Sequence, residues 1–180
     1  MMGKAAAIFC SSYPDIDPAF NEAARAVVRA LCGRGFAVVS GGTVRGTMKV
    51  VADEAVACGG THVGVLPRFM QEVAHPDLTE LVWTDTMAER KEHIRSVARD
   101  LAVVLPGGVG TMDEFFETLT LAKLGKYGGR ILVCNFKGYY DGLRMLLDSF
   151  VRGGMLDAPS RALVDFPSDA EEFEKMLDRC

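Results

Sequence analysis

Short apolar runs alternate with stretches of helical periodicity from one end of the chain to the other, and this alternation restricts the fold more than any other feature. Ala5 to Cys10, Ala37 to Ser40, His62 to Leu66, Leu101 to Leu105 and Ile131 to Asn135 are rich in Val, Ile and Ala, and Leu81 to Trp83 is a weaker run of the same kind. Between them the pattern predicts helices over Pro18 to Leu31, Arg45 to Cys58, Met87 to Arg99, Gly110 to Leu124, Tyr139 to Gly153 and Ala170 to Arg179. Asp17 before Pro18 is a helix start, and Cys32-Gly33-Arg34-Gly35 supplies a stop. Strands apolar on both faces and separated by helices belong in a buried parallel sheet. The expected fold is therefore α/β: a Rossmann-like, doubly wound parallel sheet with helices on both faces, in a single domain over residues 1–180. Pro67 to Glu80 reads as an irregular, partly helical insert. In such sheets ligands bind beyond the carboxyl ends of the strands, near the point where strand order reverses.

The stretch Ala102 to Glu114 carries the most chemistry. An apolar run ends in Pro106-Gly107-Gly108-Val109-Gly110, and helical spacing begins at once with Thr111 and two acids, Asp113 and Glu114. Strand, glycine turn and helix start build an anion site, because free N–H groups and the positive end of the helix dipole converge on one spot. Glycines let the backbone approach a ligand without a Cβ in the way. Glu114 stands where a phosphate cradle avoids negative charge, so it addresses a different part of the ligand. A phosphorylated sugar, with an anion at one end and hydroxyls at the other, suits both halves. A second glycine turn, Ser40-Gly41-Gly42-Thr43, also follows a strand, and Ser11 follows the first strand, so all three segments share one edge.

Pro106 to Glu114 fits the motif Pro-Gly-Gly-x-Gly-Thr-x-x-Glu, Met87-Ala88-Glu89-Arg90-Lys91 fits Met-x-x-Arg-Lys, and Val51 to Ala55 and Gly138-Tyr139-Tyr140-Asp141 continue a known order. Together these elements, from Ile8 to about Leu156, resemble the Lonely Guy cytokinin-activating phosphoribohydrolases, long labelled lysine decarboxylases. The resemblance implies cleavage of the N-glycosidic bond of a nucleoside 5′-monophosphate, AMP or N6-prenylated AMP, to free base and ribose 5-phosphate. It implies Arg90 and Glu114 as catalytic, and Ser11, Gly41, Gly42, Met87, Lys91, Gly107, Gly108, Val109, Gly110, Thr111 and Glu117 as substrate or phosphate contacts, with no metal and no organic cofactor. It points to a homodimer with the active-site edge near the partner, as do the apolar helices Phe115 to Leu124 and Leu143 to Phe150. The chain departs from the family at the second turn, where Thr43, Thr47 and Lys49 replace glycine, leucine and glycine, and the Lys91–Pro106 gap is one residue longer than usual. Those departures bear on substrate identity more than on fold.

Each of these residues also has a plain structural reading. A glycine turn can serve only a tight connection, Glu114 can be an acid that favours the helix dipole, and Arg90 and Lys91 can belong to a solvated charged face. Adjacent helical residues point about 100° apart, so only one of Arg90 and Lys91 faces a cleft squarely, and the arginine fork is the better phosphate or ribose ligand. Glu114 and Glu117 share a helix face, and two carboxylates in one cleft would disfavour mutual ionisation. Asp113 is expected to point elsewhere. Phe115, Phe116, Leu119, Leu121 and Trp83 read as packing.

Composition excludes several other classes. A net charge of −4 leaves no basic surplus for nucleic acid, and no apolar run is long enough to cross a bilayer. The five cysteines, Cys10, Cys32, Cys58, Cys134 and Cys180, are scattered singly, as in a reduced cytoplasmic protein, and His62, His75 and His93 lack ligand spacing for a metal. The rival readings are a non-catalytic nucleotide or molybdenum-cofactor carrier, and a pyridoxal-phosphate decarboxylase. The latter needs a Schiff-base lysine in a larger framework.

Overall fold

The computed structural model describes residues 3–179. Seven parallel strands form one sheet: β1 (Ala5–Phe9), β2 (Ala37–Ser40), β3 (His62–Pro67), β4 (Glu80–Thr84), β5 (Leu101–Val104), β6 (Arg130–Val133) and β7 (Val164–Asp165), in spatial order β4-β3-β2-β1-β5-β6-β7. The chain builds outward from β1 to one edge and then crosses back to β5, so the order reverses between β1 and β5. The doubly wound fold read from the sequence is the one observed.

Alternation within β1 assigns the two layers. Ala6, Ile8 and Cys10 pack with α1 (Pro18–Gly33), α2 (Gly46–Ala57) and α7 (Ala170–Leu177), through Val27, Leu31, Val51, Phe173 and Leu177. Ala5, Ala7 and Phe9 face α3 (Met87–Val97), α4 (Val109–Lys123) and α5 (Asp141–Arg152), through Ile94, Phe115, Leu119, Leu143 and Leu147. The central strands are buried along their whole length, which explains runs without polar alternation. Phe115 and Leu119 are core, Phe116 and Leu121 pack against it, and Trp83 sits half-buried on edge strand β4.

Caps fix where the helices begin. Asp17 accepts from the Ala19 N–H at 2.9 Å with Pro18 opening α1, and Thr86 accepts from the Glu89 N–H at 3.1 Å to start α3. Two short elements have no counterpart in the sequence reading: β7 and the four-residue helix α6 (Ala158–Arg161). Both are too short to show a period. Helix α5 begins at Asp141, and the residues before it form a 3-10 turn at Phe136–Gly138. The insert is a 3-10 helix at Arg68–Val73, tied back by the bridge Thr43–Ala74. Cys10 and Cys134 are buried, Cys32 half-buried and Cys58 exposed, all as free thiols, and Cys180 lies outside the described residues. Among the described residues no helix is long and apolar enough to cross a membrane, and no cluster of His, Cys, Asp or Glu could hold a metal ion.

Candidate active site

A cleft of about 340 Å³ opens at the carboxyl ends of β1 and β5, where the strand order reverses. One wall is Cys10 to Tyr13, following β1, and another is Thr43, Arg45 and Met48, following β2. Met70 reaches in from the insert, and Met87 and Arg90 come from the first turns of α3. The remaining wall is the start of α4: Gly108, Val109, Gly110, Thr111, Asp113 and Glu114.

On this last wall the helix supplies the donors. Gly108 occupies the N-cap with no side chain to satisfy the first-turn N–H groups, which leaves them for a ligand. Thr111 is buried against Gly107, where a Cβ would fall 2.1 Å from Thr111 Oγ1. Val109 is exposed at the rim.

Beside the cradle, further along the first turns of α4, lies a buried ion pair. Arg90 Nη1 donates to Glu114 Oε1 at 2.9 Å, and each residue is 5% exposed. Arg90 Nε donates to the Val65 carbonyl at 3.0 Å, which fixes the guanidinium from behind. Gly41 does not line the cleft; it makes room for Arg90, since a Cβ there would lie 2.2 Å from Nη2. Gly42, at φ +61°, turns the chain beneath and packs on Gly64. Burial raises the Glu114 carboxyl above the ordinary glutamate range, with Arg90 opposing and Asp113 adding a smaller upward push. Burial likewise pushes the Cys10 thiol far up, so it is an inert part of the floor.

Other sequence-named residues stand outside this constellation. Glu117 turns away from the cleft, 2.7 Å from Arg95 Nη2 and 2.6 Å from Lys91 Nζ, and lines a separate hollow between α3 and α4. The carboxylate that faces the cleft beside Glu114 is Asp113, contrary to the expectation that Asp113 points elsewhere. Lys91 lies next to the cleft rather than in it, bridging Asp113 and Glu117. Thr47 donates to Asn21 at 3.0 Å and Lys49 pairs with Asp53 at 2.6 Å, so neither supplies the cleft, whereas Thr43 does line it. Arg45, Met48 and Met70 also line it without having been singled out. Arg45 and Met48 flank the second glycine turn and carried a positional signal; Met70 sits in an aperiodic insert and carried none. The α3–α4 hollow is larger, about 750 Å³, but Glu117 and Arg95 are paired across it, and it holds neither the uncapped start of α4 nor the Arg90–Glu114 pair.

A family model described as "Possible lysine decarboxylase" matches residues 48–177. A "Cytokinin riboside 5′-monophosphate phosphoribohydrolase" of Mycobacterium tuberculosis is 41% identical over 82% of this chain and 79% of its own length. The protein of the same name from Mycobacterium marinum is 39% identical over 97% of this chain and 91% of its own. Among solved structures, the molybdenum cofactor carrier protein of Chlamydomonas reinhardtii aligns with a TM-score of 0.74 at 18% identity, over 98% of this chain and 96% of that one. At that identity the likeness concerns the fold alone.

Proposed function

Because the chain belongs to the Lonely Guy family, whose model carries the description "Possible lysine decarboxylase", we propose that it hydrolyses the bond between base and ribose in a nucleoside 5′-monophosphate. The observation that carries the reading is the buried Arg90–Glu114 pair beside the open start of α4 in one cleft. Departure of the base leaves an oxocarbenium-like ribosyl group, which a carboxylate near C1′ and the 2′-hydroxyl stabilises. Glu114 has that role and orients the attacking water. Arg90 holds the carboxylate in place and contacts the phosphoribosyl group. The N–H groups at Gly108, Val109 and Gly110, with the Thr111 hydroxyl, hold the 5′-phosphate and so supply binding energy that orients the sugar. The base is adenine or N6-prenylated adenine, in keeping with the names of the relatives.

The same pair argues against a carrier, which has no need of a carboxylate beside an anion cradle. A pyridoxal-phosphate decarboxylase needs a lysine facing its ligand, and none lines the cleft among the described residues. We further propose a homodimer: Leu124, Met145 and Leu146 stay exposed on the α4–α5 side, while α7 covers the opposite layer. The proposed partners are thus a nucleotide and a second copy of the chain, not nucleic acid, in the cytoplasm. Incubation with a panel of nucleoside monophosphates and quantification of released base tests the reading. AMP is expected to yield adenine much faster than adenosine does; equal rates would remove the role of the anion cradle, and no base from any monophosphate would overturn the reaction.

A further inference from the structure

The Gly138-Tyr139-Tyr140-Asp141 element has so far no place in the chemistry, yet both tyrosines reach back to the turn that follows β5. Tyr140 Oη donates to the Leu105 carbonyl at 2.8 Å, and Tyr139 Oη donates to the Gly107 carbonyl at 2.9 Å. Asn135 sets the pair in place by accepting from the Tyr140 N–H at 2.7 Å. The two rings meet edge to face at 4.9 Å, and Tyr139 also meets Phe20 at 5.3 Å.

We infer that Tyr139 is a positioning residue for the anion cradle: by holding the Gly107 carbonyl it aims the Gly108 N–H, the leading donor of the cradle, at the ligand's phosphate. The peptide unit is planar and trans, so its C=O and N–H point in opposite directions. Anchoring the Gly107 oxygen on the Tyr139 side therefore turns the Gly108 N–H to the opposite face of the turn. This peptide joins two glycines, so no side chain of its own restrains the plane, and an external hydrogen bond decides its orientation. The same bond polarises the peptide and strengthens its N–H as a donor. Tyr140 makes the internal contrast. The carbonyl it holds belongs to Leu105–Pro106, a peptide with no N–H to aim, and the Tyr140 oxygen also meets the Gly107 backbone, one peptide short of the Gly108 N–H.

The inference rests on the phosphate placement proposed above, and the test separates the two. Tyr139→Phe keeps the ring contacts and removes only the hydroxyl of a half-exposed side chain. Affinity for inorganic phosphate and for ribose 5-phosphate, measured by calorimetry, is expected to fall about three- to tenfold, the effect of losing one ordinary hydrogen bond. The KM for AMP rises in step, while turnover of adenosine, which lacks the phosphate, and the melting temperature stay unchanged. Tyr140→Phe is expected to lower the melting temperature but to leave phosphate affinity intact. Unchanged phosphate affinity in Tyr139→Phe, equal losses in both variants, or no phosphate binding by the parent protein would each overturn the inference. A parent whose phosphate affinity depends on the Tyr139 hydroxyl yet releases no base from AMP would leave the positioning role standing and remove the proposed reaction.

Discussion

Gly41→Ala places a single methyl group against the guanidinium of Arg90. Gly41 is not among the glycines with positive φ, so the replacement is judged by space alone. The new Cβ would sit 2.2 Å from Arg90 Nη2, whereas ordinary contact begins at 3.4 Å, so the guanidinium must retreat by more than an ångström. A side-chain end can usually swing away at little cost. This one is pinned at Nε by the Val65 carbonyl and at Nη1 by Glu114, inside a buried site, so retreat breaks at least one of those bonds. A misplacement of about 1 Å at a reacting group costs on the order of a hundredfold in rate. Overpacking of this kind costs about 1–3 kcal/mol in stability. Adenine release from saturating AMP is therefore expected to fall about a hundredfold, with a lower melting temperature and an intact circular dichroism spectrum. Gly142→Ala, where the added methyl meets nothing within 4 Å, is the control and should be silent. A Gly41→Ala enzyme within about threefold of the parent kcat would show that the placement of Arg90 does not matter to the rate, against the scale expected for such a displacement.

Further outcomes follow from the same contacts. Glu114→Gln should lower turnover by about two to four orders of magnitude while ribose 5-phosphate still binds, and Asp113→Asn, at the cleft rim on Lys91, should be mild; near-normal turnover of Glu114→Gln would remove its catalytic role. Since burial raises the Glu114 carboxyl, the acid limb of kcat/KM should lie above the free glutamate value of about 4.3, and a limb at or below it would contradict that environment. Burial pushes His62 down to about 4. The unfolded chain takes up that proton below about 6.5 and the folded chain does not, so stability present at neutral pH is lost between those values, by about 3 kcal/mol. Urea melts at pH 7 and 4.5 should show this loss reduced in His62→Gln, and an equal loss in both proteins would exclude His62 as its source. Light scattering should give about twice 19.5 kDa, and a monomer mass would refute the dimer.

The alternation of apolar runs made the sheet and its switch point legible, because central parallel strands carry a signal that needs no partner to be recognised. The glycine turn before Glu114 was legible for the same reason: strand, turn and helix start lie within one stretch of chain. Position relative to neighbouring helices was not. Helical spacing puts Glu117 on the Glu114 face, but Arg95 and Lys91 on α3 draw it into the adjacent hollow. Asp113, expected to point elsewhere, is held at the cleft rim by Lys91. Gly41 was read as a ligand contact, whereas the backbone there gives space to an arginine about fifty residues later in the chain. Such facts depend on which helix packs beside which, and periodicity within one helix does not contain them.

The cleft lies on the seam between the two wings of the sheet: the β1–β4 wing brings Gly41, Met48 and Val65 with α3 behind Arg90, and the β5–β7 wing brings the cradle and Glu114. A nucleotide seated there is a strut joining both wings, and it can be gripped only after they have closed on one another. Occupancy is thus linked to completion of the whole fold. At a hundred times its dissociation constant a ligand adds about 2.7 kcal/mol to the global unfolding free energy. Inside a cell, the same linkage makes lifetime depend on metabolite level, with molecules that find their nucleotide spending less time open to proteases.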